Sequence, residues 1–451
     1  MSFEPIAIVG RACLLPGAAD PAALWEAVRS RRDLLSSAPP DRWGAAPADV
    51  LGSLASSIDR TWSDRGGYVR GFDARFDPAG FALPAREILG LDPLFRWLLH
   101  VGREALIDAK QRDVSRTGAV IGNLSFPSNS MTRFAERVWL GDTLADAAGL
   151  PNVDPRNRFS SGLPAHLLAR ALGLGDVAYC LDAACASSLV AIKLACDRLH
   201  DGLADVMLAG AVNCADDLFI HVGFCALKAL SASGQSPFHP EADGLVPAEG
   251  AGIVVLQRLA DAEKSGRPIF GVIRGVGLSN DGRENGLLAP GEEGQIRAMQ
   301  RAYAQAGLTP ADMDYVECHA TGTSAGDGAE LRSMRRIFGD RAPLPIGSLK
   351  SNLGHLITAA GVASLLKVLA AFEAKSLPAT LHLDQVERLD GLIGTPFRVL
   401  TATEAWENQG PRRAAVSAFG FGGNNAHLIV EEYVAGEASH RRAQRSIDAG
   451  A

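Results

Sequence analysis

None of the seven cysteines in this sequence forms a Cys-x-x-Cys pair. Their odd number leaves at least one thiol outside any internal disulfide. The pattern indicates neither a disulfide framework nor a zinc site, and a reducing, cytoplasmic compartment is the simple expectation. Positive charge is not in excess: 44 Lys and Arg against 51 Asp and Glu give a net charge of -7, which argues against a nucleic-acid binder. The apolar runs are broken by charge or glycine before roughly 18 residues, so no membrane span is expected. The opening residues, Met1 to Gly10, lack the charged region and cleavage site of a signal peptide.

What is present is globular. Apolar residues make up 47% and charged residues 21%, which excludes wholesale disorder, and 48 glycines suit tightly packed α/β layers. At 451 residues the chain exceeds one ordinary core, so two halves are expected. Ile6 to Val9, Ala119 to Gly122, Asp205 to Val212, Ala251 to Leu256 and Ile269 to Leu278 read as strands. Leu83 to Lys110 reads as one helix, with Ile88, Leu91, Phe95, Leu98, Leu99 and Ala105 inward. Residues 39–70 read as a long surface loop without chemistry, and residues 126–165 as irregular. A second unit follows: a helix from Gln295, a strand ending at His319, a helix over 330–338, and a wholly apolar segment from Ile357 to Phe372 broken only by Lys367. The expected division is 1–260, 261–433 and a tail of 434–451.

Cys185 stands between a short apolar run, Val177 to Leu181, and a helix-spaced segment from Leu189 to Leu199. That places it at a strand-to-helix turn. The helix dipole and unpaired N–H groups there would ease loss of the thiol proton and could hold an oxyanion. Alanines 183, 184 and 186 leave room for an acyl group. A lone cysteine is more often a structural thiol, but three further clusters accompany this one. Glu317 to Asp327 sets His319 at a strand end before Thr321 and Thr323. Ser348 to His355 puts Lys350 and His355 at the mouth of a buried helix. Ser417 to His427 is a glycine-rich turn that lets backbone N–H groups approach a ligand.

Together, Asp182 to Leu189, His319 to Thr323, Lys350 to His355 and Phe419 to His427 resemble the motifs of the β-ketoacyl synthases, the decarboxylative condensing enzymes of fatty-acid and polyketide synthesis. The resemblance runs from Glu4 to Glu432. Asp217 to Phe224 and Gly244 to Gly250 look closer to polyketide and polyunsaturated-fatty-acid synthases. The resemblance implies a thiolase-type α/β fold, a five-layered α/β/α/β/α duplication, as a homodimer. It implies a Cys-His-His triad of Cys185, His319 and His355. It also implies an oxyanion hole at the N–H groups of Cys185 and Phe421, with Phe421 gating entry. Thr321, Thr323, Phe419, Phe421 and Asn424 are expected to meet the pantetheine arm or substrate. Lys350 is expected either to orient His319 electrostatically or to sit in a structural ion pair. No bound cofactor is implied; substrates ride on the phosphopantetheine of an acyl carrier protein, the expected partner along with other domains of a multidomain synthase.

Three positions depart from the family pattern. Gly328 stands where a proline is usual and is expected to loosen the turn after His319. Asn424 replaces a threonine. Ser364 stands where some relatives carry a glutamate that pairs with the lysine, which leaves the partner of Lys350 open. An alternative is a non-elongating, transacylating member or partner subunit of the same fold. A thiolase is disfavoured, because its second base is a C-terminal cysteine and none lies beyond Cys318.

Overall fold

The computed structural model describes residues 3–40, 42–53, 59–283, 289–339, 343–383 and 392–436. Most of the expected tail, residues 437–451, therefore lies outside the described residues. Eleven strands form one mixed sheet: β1 (Ile6–Leu14), β2 (Thr117–Asn123), β3 (Ala178–Leu181), β4 (Val206–Asn213), β5 (Gly250–Arg258), β6 (Gly271–Asn280), β7 (Tyr315–Glu317), β8 (Leu344–Gly347), β9 (Phe397–Val399), β10 (Arg413–Phe419) and β11 (Asn424–Glu431).

Its order, β9-β8-β7-β10-β11-β6-β1-β5-β4-β2-β3, contains one pattern twice. In the first half β1 pairs antiparallel with β5, β5 antiparallel with β4, and β4, β2 and β3 run parallel. In the second, β6 pairs antiparallel with β11, β11 antiparallel with β10, and β10, β7 and β8 run parallel. The halves join where β1 meets β6 at Ile6 and Ile273.

Strand alternation splits each half into two faces. On β1, Ile6 and Ile8 enter the central core while Ala7 and Val9 enter an outer one. On β10, Ala414, Val416 and Ala418 face the centre and Ala415 faces out. Helices α1 (Pro93–Asp108) and α3 (Leu163–Leu172) cover the first outer face. Helices α5 (Glu292–Ala306) and α6 (Ser324–Phe338) cover the second. Between the sheet halves lie α4 (Ser187–His200) and α8 (Ala360–Ala374). This is the five-layered arrangement. The two central helices touch sheet on both sides, so their apolar residues are drawn inward all round; each buried leucine or valine is worth roughly 1.5–3 kcal/mol.

Several expectations are corrected. Leu83 to Lys110 is two helices, Ala85–Leu89 and α1, because Asp92 accepts from Leu94 N–H and restarts the chain; all six inward residues are buried. The stretch 126–165 contains α2 (Asn129–Ala147), kinked at Gly141. Only Ala145 of α2 is buried while Val138, Trp139, Leu140 and Leu144 are exposed, so no core-facing stripe announced it. The 39–70 segment is not only a surface loop. Trp43 and Tyr68 are buried, and Arg42 pairs with Asp217 and buried Glu249. Finally, residues 357–374 are long and apolar enough to cross a membrane by length and composition, since Gly361, Lys367 and Glu373 do not break the run. That stretch is 89% buried inside the protein, as a central-layer helix must be.

Candidate active site

Cys185 sits on a single tight turn, Ala184–Ala186, between β3 and α4. Ala184 takes a φ of 50°, a left-handed conformation that the surroundings must impose. Asp182 Oδ1 accepts from Ala184 N–H at 2.9 Å. Ser187 Oγ accepts from Ala183 N–H at 2.8 Å and donates to the Ala184 carbonyl at 2.6 Å. The turn is thus stitched by the residues that flank the nucleophile. The glycine-rich turn between β10 and β11 lies against it: a Cβ on Gly420 would stand 2.6 Å from the Ala183 carbonyl and 3.2 Å from Cys185 N.

The two histidines arrive from the other half. His319 follows β7, and His355 follows the short helix α7 (Lys350–Leu353), where Gly354 turns the chain with a φ of 81°. His355 N–H donates to the Val246 carbonyl at 2.7 Å, and its own carbonyl accepts from Ala248 N–H. Its Nε2 lies 3.0 Å from Cys185 Sγ, and the two imidazole centroids are 5.3 Å apart. Sγ and one nitrogen of each ring all lie within 4.8 Å of one another. A soft cation would need this closeness too, but the charge of Lys350 beside all three groups opposes one.

Burial dominates the electrostatics. It pushes both imidazoles well below their ordinary pKa, with Lys350 adding to the effect, so both are neutral. The expectation of an easily ionised thiol is corrected. Desolvation pushes Cys185 up to about 11, although the Phe421 and Cys185 N–H groups and Lys350 all act to lower it. The backbone N–H groups of Phe421 and Cys185 both act on Sγ. The Phe421 ring lies tilted against Phe224, with centroids 5.9 Å apart.

Lys350 is buried and its pKa is lowered by desolvation, opposed by Glu317, Glu330, Cys185 and Asp327. Glu330, which sequence reasoning missed, accepts from His319 N–H at 2.8 Å and Ala320 N–H at 2.7 Å. Burial raises its pKa to about 7. It faces inward from α6, eleven residues beyond His319, and only the helical period could have suggested it. Gly328 does not loosen the turn. It lies inside α6, and Asp327 holds the turn by accepting from the N–H groups of Thr321 and Gly322.

Cys185, His319, His355, Thr321, Thr323, Phe419 and Phe421 line one cavity of about 260 Å³, and the two threonine hydroxyls are 3.1 Å apart. Asn424 is not among the lining residues; its amide oxygen accepts from Asn280. The next residue, Asn425, lines the cavity instead, held by Asp281 at 2.6 Å. Strand alternation sends neighbours to opposite faces, and the sequence did not say which amide faced in. Ser364 donates to Glu317, not to Lys350. His427 is buried against Ser417 Oγ at 3.0 Å.

Comparison with known proteins bears on this geometry. The family model described as "Beta-ketoacyl synthase, N-terminal domain" matches residues 3–262, and "Beta-ketoacyl synthase, C-terminal domain" matches residues 270–384. The chain is 36% identical over 446 residues to a phenolphthiocerol/phthiocerol polyketide synthase polypeptide of Mycobacterium tuberculosis, covering 95% of this chain and 23% of that protein. It is 38% identical over 459 residues to the pikromycin polyketide synthase component PikAIII of Streptomyces venezuelae, covering 97% and 28%. Among solved structures, a PfaC keto synthase-chain length factor superposes with a TM-score of 0.90 at 38% identity, covering 96% of this chain and 48% of that one. An oxazolomycin ketosynthase domain of Streptomyces albus superposes at 0.82 with 32% identity, covering 96% and 75%.

Proposed function

The chain belongs to the β-ketoacyl synthase family, and from that premise we propose that it condenses an acyl group on Cys185 with a malonyl group by decarboxylation, in polyketide or fatty-acid-like chain elongation. The observation that carries the reading is the meeting of Cys185 Sγ with His355 Nε2 at 3.0 Å, beside His319, on the wall of a cavity lined by Thr321 and Thr323. In this reading residues 1–260 supply the nucleophile and residues 261–433 the two histidines.

Cys185 Sγ bonds to the acyl carbonyl of a carrier-bound thioester, and the carrier thiol leaves with the proton that Sγ gives up. Burial raises the thiol pKa to about 11, so the thiolate is the minor form at neutral pH. His355 Nε2–H and the Cys185 and Phe421 N–H groups therefore stabilise the sulfur anion as it forms. Malonyl carrier protein enters next, its pantetheine arm hydrogen-bonded by Thr321 and Thr323. Loss of carbon dioxide leaves an enolate, whose oxygen takes Nε2–H bonds from His319 and His355. Neutral imidazoles suit this task, since each keeps one N–H to donate. The enolate carbon attacks the acyl carbonyl, and its oxyanion rests on the Cys185 and Phe421 N–H groups. Collapse expels Sγ and releases the β-ketoacyl product. Lys350, between Glu330 and the histidines, keeps the local charge balanced and orients His319 through that carboxylate.

The partners in this reading are an acyl carrier protein, a second copy of the chain, and further domains of a synthase. The chain spans about a quarter of each curated relative above, which supports the last. β3 ends the sheet, with Val177 and Tyr179 exposed there, which supports a homodimer. All seven cysteines are free thiols, which supports a reducing, cytoplasmic setting. The test is intact mass of malonyl-loaded carrier protein after incubation with this protein and a panel of acyl thioesters. A β-ketoacyl mass that vanishes with Cys185→Ala is expected; acyl-Cys185 without that product would favour transfer alone.

A further inference from the structure

Two residues before His319, Glu317 is fully buried at the end of β7. Both of its oxygens are occupied. Oε1 accepts from Leu349 N–H at 2.6 Å and from Ser364 Oγ at 3.4 Å; Oε2 accepts from Lys367 Nζ and from Tyr315 Oη, each at 2.7 Å. Lys367 Nζ is also 3.1 Å from Tyr315 Oη, and the Glu317 and Lys367 side chains are 0% and 1% exposed. A buried ion pair of this kind commonly stabilises a fold no better than apolar side chains of the same volume. Lys367 is the one charged residue before Glu373 in a largely apolar α8, so its place there calls for another reason.

The connections supply one. Glu317 shares a strand with His319, and Leu349 directly precedes Lys350. Ser364 and Lys367 lie on α8, which follows His355 after a single turn. One carboxylate thus ties together the three chain segments that carry His319, Lys350 and His355. The register is locked as well: Gly347 stands opposite Glu317 on β8, and a Cβ there would meet Tyr315 Oη at 2.6 Å. Neither Glu317 nor Lys367 lines the cavity, so neither touches substrate.

Resting on the condensing reading above, we propose that Glu317 and Lys367 are positioning residues for decarboxylation. The pair holds the strand of His319, the turn of Lys350 and the helix behind His355 in one geometry. Cys185 is stitched from the other half by Asp182 and Ser187, and His355 is fixed beside it by its own backbone bonds to Val246 and Ala248, so acyl loading depends on the pair far less than decarboxylation does.

The test separates the two half-reactions. Acyl loading of Cys185 is followed by intact mass, and carbon dioxide release from malonyl carrier protein is followed independently. Lys367→Met strands a buried carboxylate and threatens folding, so the deciding protein is the Glu317→Gln/Lys367→Met double variant, which removes both charges. It is expected to keep a thermal midpoint near wild type and to load Cys185 within about threefold, while carbon dioxide release falls at least about tenfold. Equal losses in both half-reactions, no loss in either, or a double variant that does not fold would each overturn the proposal. Wild-type protein that neither loads nor decarboxylates would instead sink the condensing reading, and this role with it.

Discussion

The two halves of this molecule repeat one construction and use it for different chemistry. In the first, β3 leads through the turn Ala184–Ala186 into α4. In the second, β8 leads through α7 and the turn Ile357–Ala359 into α8. Both turns begin on a non-glycine residue in the left-handed region, Ala184 at 50° and Ile357 at 49°. Both central helices start without a side-chain cap, and they meet each other: Ser188 Oγ accepts from Val362 N–H at 3.0 Å, and a Cβ on Gly361 would stand 2.7 Å from Leu189. The middle residue of the first turn is Cys185. The middle residue of the second is Thr358, whose hydroxyl donates to the Val212 carbonyl at 2.8 Å. The first half spends its turn on a nucleophile. The second spends it on packing and hangs its histidines on the chain just before. Repeated backbone thus fixes where a reactive group can stand, and the residue placed there decides whether one does.

The largest way to break the comparison is Cys185→Ala. It should abolish acyl loading and lower condensation by roughly a thousandfold or more, with the fold intact; intact mass and product formation check it. Next is His319→Ala, which in the proposed mechanism removes one donor to the enolate oxygen. Decarboxylation should fall about a hundredfold or more while Cys185 still acylates, measured by carbon dioxide release against acyl-enzyme mass.

The third concerns pH. Burial raises the Cys185 pKa to about 11, so the thiolate is the minor form at neutral pH and grows as pH rises towards that value. Iodoacetamide labelling of Cys185 should therefore speed up about tenfold per pH unit between about 7 and 9. Lys350→Met removes a charge that lowers this pKa, so it should slow labelling at each pH. A labelling rate that is flat above neutral pH would show a thiol already ionised.

The smallest sharpens the contrast: Thr358→Ala should cost about 1 kcal/mol in denaturant unfolding and leave loading and decarboxylation unchanged. A loss of activity there would mean that the second turn also serves the chemistry.

Cys185, His319, His355, Thr321, Thr323 and Phe421 were legible as a set because each stands in a local motif whose turn or helix end is written in adjacent residues. The duplicated fold was legible through the family resemblance that those motifs carry. What local spacing could not carry is the environment. Helix α2 has no buried stripe, Asn424 and Asn425 look alike until strand alternation picks one, and Glu330 and Lys367 read as ordinary helix residues.

By itself the sequence determined which side chains could do chemistry, and in what chain order, because turns and periodicity are short-range properties of the backbone. Only the tertiary structure decided their state. It brings Cys185 to His355 across 170 positions, buries the thiol until its pKa rises to about 11, and seats Lys367 on Glu317 fifty positions away. Ionisation and ion pairing depend on how much water the fold removes and which charges it leaves nearby. Those are set only when distant segments pack.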